Sequence, residues 1–559
     1  MRTRKGWITR AFLVALSAAI TTGAAFGQAV WVGAGSTENF NTPANWQGGV
    51  VPPINGSTAV DFSSTATYSI MNLVASTTSL QGISFLGSSG YGTYTINANE
   101  GSQLAIGPGG ISPASGFQGY LYISTPTVLS VAQTWNAGTA FIDDYGALSG
   151  TGPLTTEGSV YLTGSNSFTG GVNVSSGELY VGSGGAGTGT INLASGTYLE
   201  SYYNTATLAN PVAVAANVTL GNNGIQNNFG NQGASPQLYL SGPVTFTSAA
   251  TTIDLNFNTS VDLQGVVTGP PSTQLAIIGQ TAMLPYDGGS QVVIEGSLSN
   301  ITGVNVQNAS LILAPAGSAT TSFSSISGSG LQVGPGGATA YLGLDGTFSS
   351  QAGAVSAFIS TYGASLGATI NGTLGFDTFA NPSTPATFND PINLTAFTSP
   401  NFIGLGSASA AILGASAVIT PYNQNYKFGG GGGTLTVLSP LADSGGPTSL
   451  TMGAAPEPLT LVLEGLNTYT GGTYVNDGVL VFGSAPPATG AITLGPGAYV
   501  GYNEGEGIAL AQTFVGMVTP VGSGGIIGFD SQSVSSPRTI SDAIDLSGYN
   551  VDNNPFIGT

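Results

Sequence analysis

The chain has 559 residues, of which only 6% are charged and 41% are hydrophobic, with 87 glycines, no cysteine and no histidine. An average globular protein is roughly one-quarter charged. The apolar content excludes a disordered chain, which could not bury enough surface to offset its ordering entropy. The missing Cys and His exclude disulfides, zinc sites and a Ser-His-Asp nucleophile. A formal charge of −19 excludes nucleic-acid binding, which depends on Lys and Arg neutralising phosphates.

In chain order, the first predicted element is a signal peptide over residues 1–27. Arg2, Arg4, Lys5 and Arg10 precede the apolar run "AFLVALSAAI", and Ala25 and Gly27 are the small residues before a cut between Gly27 and Gln28. A run of about ten residues is too short for a membrane span, which needs about 20. Cleavage leaves Lys427 and Arg538 as the only cations against 25 carboxylates, a formal charge of −23. No membrane-spanning segment is expected after the signal is removed.

Residues 28–120 read as an N-terminal β cap and first strands. Trp31 and Trp46 stand in a Gly/Asn/Pro frame ahead of Asp61-Phe62. Two tryptophans suit a sugar-stacking platform, but a solenoid must also cover its first open edge and apolar interior, and the cap is the preferred reading.

Residues 121–559 read as one long β-solenoid with an internal repeat. "LTGSNSFTGGVNVSSGELYVGS" (162–183) returns as "LEGLNTYTGGTYVNDGVLVFGS" (463–484), and over 162–199 the two copies share 17 of 38 residues without a gap. The repeats span 158–200 and 459–501, with a degenerate copy at 290–313. Preserved positions include Asn166/Asn467, Thr169/Thr470, Gly170/Gly471, Gly171/Gly472 and Gly177/Gly478. Val160/Leu162, Val172/Val174, Leu179/Val181 and Ile191/Leu193 are apolar pairs straddling one residue, so equivalent strands recur every 19 residues. "SSG", "ASG" and "NDG" supply the turns. The fold class is therefore all-β: a right-handed parallel β-helix or β-solenoid with an N-terminal β cap, the alternative being tandem antiparallel hairpins, which "NDG" would favour. No helix of ordinary length is expected after residue 27, and the run Gly429–Gly433 reads as a loop or hinge.

These motifs resemble the autotransporter-associated β-strand repeat, whose core reads like L-x-G-x-N-T-Y-T-G-G-T-x-V-x-x-G-x-L. "QTW" at Gln133–Trp135 and "SGTGPL" at Ser149–Leu154 resemble the pieces that precede that repeat. The resemblance implies an exported, passenger-like pectin-lyase-type β-helix, extracellular or on the outer surface of a bacterium, and it implies no reaction.

The rival is a carbohydrate-active β-helix, either a hydrolase or a lyase. With one Lys, one Arg and no His in the mature chain, acid/base work would fall on Asp, Glu or Tyr. The candidate pairs are Asp143/Asp144, Glu504/Glu506 and Asp542/Asp545. Asp143 and Asp144, as neighbours in a strand, point to opposite faces unless they lie in a turn, whereas Glu504 and Glu506 could share a face or a calcium ion; all three pairs are read as solvated corner acids. Likewise, Asn166 and Asn467 are read as corner hydrogen-bonders, and Phe168 and Tyr469 as interior fillers. No catalytic, cofactor-binding or metal-binding residue is expected, and no cofactor. The expected function is a structural or adhesive rod making multivalent contacts with extracellular glycans or surface proteins.

Overall fold

The computed structural model describes residues 27–558 apart from 64–68, 87–91, 114–116, 203, 223–236, 257–258, 280–289, 380–383, 456, 485, 488–489, 504–510, 523 and 531–555. The predicted signal segment 1–26 and the pairs Glu504/Glu506 and Asp542/Asp545 lie outside the described residues. Gly27 and Gln28 open the first strand, Gly27–Trp31, which pairs in parallel with Thr58–Ser63.

Strand makes up 50% of the chain and helix 8%. The ladders are parallel and gather into three long sheets of 21, 13 and 8 strands. Parallel pairing rules out the hairpin alternative, since a two-residue turn joins antiparallel strands only. Within the repeats each coil sits over the next at the predicted step. Val160 opposes Leu179 and Val172 opposes Ile191, while Leu461 opposes Leu480 and Thr473 opposes Ile492, each 19 residues on.

Apolar residues of successive coils stack inside one continuous core. One inward column runs Leu121, Ile142, Val160, Leu179, Leu199 and Leu220, all essentially inaccessible. Long strands such as Leu154–Leu162 and Val172–Val181 cross a corner without ending. Their register slips at Thr156/Glu157, where Gly158 and Gly177 take φ of 73° and 76°. At the N-terminal end Trp31 and Trp46 meet edge to face with centroids 5.1 Å apart, and Phe40 packs on Trp46. Both tryptophans are buried, so neither ring face is open to a sugar.

The expectation of no helix is corrected. Between the strands Leu331–Val333 and Gly372–Asp377, and just before them, the coils are interrupted by α1 (Ala319–Ser322), α2 (Gly346–Ser349) and α3 (Ala354–Thr369); α4 (Ala511–Met517) follows later. α3 buries Val355, Phe358, Ile359, Tyr362 and Leu366 on one side. Its start is held by Asp390, whose carboxylate accepts from Gly353 N at 2.8 Å and Val355 N at 2.9 Å. Among the described helices none is long and apolar enough to cross a membrane.

Candidate functional site

The repeat residues occupy the corners. Asn166 accepts from Leu148 N at 2.7 Å in the coil before and donates to Gly185 O at 2.5 Å in the loop after. Asn467 accepts from Leu441 N at 3.3 Å and donates to Gly465 O at 2.8 Å. Phe168 and Tyr469 are buried, the Tyr469 hydroxyl lying 2.7 Å from Thr473 Oγ1. Thr169 N donates to Gly150 O at 2.9 Å, and Thr470 uses both its N–H and its hydroxyl on Asp443, each at 2.8 Å.

The Gly-Gly doublet is set by contact between coils. A Cβ on Gly170 would stand 2.3 Å from the Gly152 carbonyl carbon, and one on Gly171 would stand 2.5 Å from Thr190 O. The first glycine admits the coil below and the second, at φ 80°, the coil above. Gly471 packs in the same way against Thr448, while Gly472 and Gly478 take φ of 90° and 79°.

The acids do not behave as predicted. Asp143 and Asp144 end the strand Gln133–Asp144 and are 3% and 0% exposed, so they are not solvated corner acids. Alternation does send them to opposite faces. Asp144 falls in the inward column Ile123, Asp144, Leu162, Val181, and burial, with Asp143 beside it, holds its carboxyl well above the usual range. Asp143 falls in an outward column, Tyr122, Asp143, Tyr161, Tyr180, Glu200. There the tyrosine rings seal it from water and push it up to about 6, partly offset by a hydrogen bond from Tyr145.

This aromatic face is built by strand alternation. Tyr161 and Tyr180 stack at 4.2 Å with planes 12° apart, and Tyr120 stacks on Phe141 at 4.7 Å. Tyr161 and Tyr180 cover one another along the coil axis and Tyr202 meets both edge on, while Tyr120 and Tyr145 stay partly exposed. The Tyr180 hydroxyl donates to Glu178 Oε2 at 2.7 Å. Glu200, 4% exposed, is raised to about 7 by burial and by Glu178, while bonds from Asn256 and Tyr180 restrain the rise. Asp143 and Glu200 stand three strands apart in their column, about 14 Å at about 4.8 Å per step. That exceeds the roughly 5–9.5 Å between paired carboxyls of glycosidases. Glu178 and Glu200 lie on adjacent strands and are the closer pair. Sequence reading missed them because 22 residues separate them, although the signal was present in the alignment of "ELYV" with "YLES", which at this coil steps by 20 residues.

A second buried node lies where the helical insertion rejoins the coils. Asp377, on the strand beside Asp345, accepts from Tyr341 Oη at 2.7 Å and from Ala408 N at 2.7 Å, with Ser409 Oγ at 3.2 Å. Burial raises it to about 6 against these donors. Gly429–Gly433 closes over the same node: a Cβ on Gly430 would meet Thr373 Oγ1 at 2.1 Å and one on Gly431 would meet Ser407 O at 2.3 Å. The run is a loop, as expected, but one packed into a corner, which corrects the alternative of a hinge. Among the described residues no three carboxylates are grouped to hold a metal ion.

Fold and corner chemistry together define a parallel β-solenoid whose recurring polar residues tie coil to coil. Two segments, residues 157–181 and 460–482, match the passenger-associated-transport-repeat family, and both lie on the repeats built around Asn166 and Asn467. No curated protein and no solved structure matches the chain.

Proposed function

We propose that this protein is an exported, non-enzymatic β-solenoid that acts at the outer surface of a bacterium, or outside it, as a structural and adhesive rod. The observation that carries the reading is the use made of the repeat. Asn166, Asn467 and the glycine doublets spend their contacts on the backbone of neighbouring coils and so lock coil to coil. A scaffold of this kind offers long flanks for many weak contacts, which gain strength by avidity. The passenger-associated-transport repeat supports export and surface display, as do the basic and apolar residues before Gln28. The partners we propose are extracellular glycans or surface proteins. The test is attachment of beads coated with the folded chain to bacterial and host-type surfaces, with heat-unfolded chain as control. Equal attachment by both forms would remove the reading.

A second reading, a carbohydrate-active enzyme, is favoured by one observation: Glu178 and Glu200 share the Tyr180 hydroxyl, and Glu200 is raised to about 7, as a general acid requires. On that reading the chain releases reducing ends from a polysaccharide, and Glu200→Gln abolishes the release.

A further inference from the structure

On one flank of the solenoid, next to the helical insertion, the stacked strands enclose a groove of about 300 Å³. That volume is at the lower end of small-ligand sites. Its floor is a single register column across five successive strands: Asn217, Thr252, Ala276, Asn305 and Gln332. Ala276 makes the floor low at the centre, and the turn carrying Ser329 and Gly330 after α1 forms one wall. Gln274 stands in the adjoining column and donates to Thr302 Oγ1 at 2.9 Å. Its amide lies flat over Gly303, where a Cβ would collide with Gln274 Oε1 at 1.9 Å.

We propose that this groove binds a neutral oligosaccharide lying along the coil axis, a proposal that rests on the adhesive reading above and supplies its ligand class. The lining contains no Asp, Glu, Lys or Arg, so it holds no counter-charge for an ionic ligand. The mature chain's formal charge of −23 opposes anionic glycans further. Side-chain amides both donate and accept, which is what vicinal sugar hydroxyls require of a partner. Within the described residues the amides of Asn217 and Gln332 make no hydrogen bond, and both side chains are exposed at the groove. The amide of Asn305 is tied only through its oxygen, to Gln307 at 3.4 Å, which leaves its NH₂ open. Coils advance about 4.8 Å, close to the advance of one pyranose unit in an extended glycan, so successive sugars meet successive rungs.

Isothermal titration of the folded chain with neutral β-linked tetrasaccharides of glucose, xylose and mannose, and with an anionic uronic-acid tetrasaccharide, tests the proposal. At least one neutral sugar is expected to bind and the uronate is not. Gln332→Ala and Asn305→Ala, each removing one polar contact, are expected to weaken binding about tenfold. Ala276→Tyr, which fills the floor, is expected to abolish it; the two alanine variants carry the test if that variant melts early. Binding of none of the neutral sugars, equal binding of the uronate, or unchanged affinity in the two alanine variants would overturn it. The two readings fail separately: if beads coated with Ala276→Tyr attach to surfaces as well as beads coated with the wild-type chain, the groove is removed and the rod is left.

Discussion

A buried or half-buried Asn side chain that bonds backbone in two neighbouring coils acts as a rivet. Asn166 takes the Leu148 N–H and gives to the Gly185 carbonyl, and neither backbone group gains another partner if the amide is removed. Asn166→Ala is therefore expected to cost about 1–3 kcal/mol, read as a lower urea midpoint with an unchanged slope. Asn467→Ala should cost less, because its bond to Leu441 N is longer at 3.3 Å. Gly177 is constrained differently. Its φ of 76° suits glycine, and a Cβ there would press on Gly158 O at 2.5 Å. Gly177→Ala should cost at least about 1–2 kcal/mol from the backbone conformation alone, and more than Gly196→Ala, where φ is 83° but nothing lies within 4 Å. Equal losses at the two glycines would mean that contact between coils is not what fixes the residue.

At the level of elements, α3 tests how an interruption is kept in place. Asp390 caps two N–H groups at its start from outside the helix, so Asp390→Ala is expected to cost about 0.5–2 kcal/mol and to speed amide exchange through residues 354–369 before the flanking strands. Uniform protection loss along the whole chain would instead place the helix within the cooperative core. The strands of the repeats were legible from alternation and turn glycines, since Val160/Leu162 and Leu179/Val181 carry period two without ambiguity. α3 was not, because "AVSAFISTYGASLGAT" has no charge to mark a polar face and carries Gly363 and Gly367, which read as turns. Gly367 is there for packing: a Cβ would stand 2.3 Å from Ala396 O. The groove was illegible for a different reason. Asn217 and Gln332 are 115 residues apart in sequence, and only the register of strands with unequal loops between them brings both into one column.

For the whole molecule, the decisive fact is that, among the described residues, acids are buried without an ion-pair partner. Asp143 and Asp377 are raised to about 6, Glu200 and Asp262 to about 7, and Asp144 well above the usual range, in each case chiefly by burial. Lys427 gives its ammonium to the Phe402 carbonyl at 3.3 Å and is itself held down by burial. In the unfolded chain these carboxyls ionise near pH 4, so between pH 4 and about 7 the folded state holds more protons than the unfolded one, and stability falls as pH rises. Below pH 4 both states are protonated and the contribution is fully present. Asp443 runs the other way, since N–H groups of Thr448 and Thr470 hold its carboxylate below the usual range, but it is exposed and the one such acid among the described residues. Self-repulsion from a formal charge of −19 grows over the same window and has the same sign. The melting temperature should therefore be highest near pH 4 and fall as pH rises from there through 7. Asp144→Asn, which keeps shape and removes the buried ionisation, should flatten that drop, whereas the exposed Glu100→Gln should leave it intact. A melting temperature that climbs from pH 4 to pH 7, as in proteins whose carboxylates are paired with cations, would mean that these acids find positive partners or water in the folded rod.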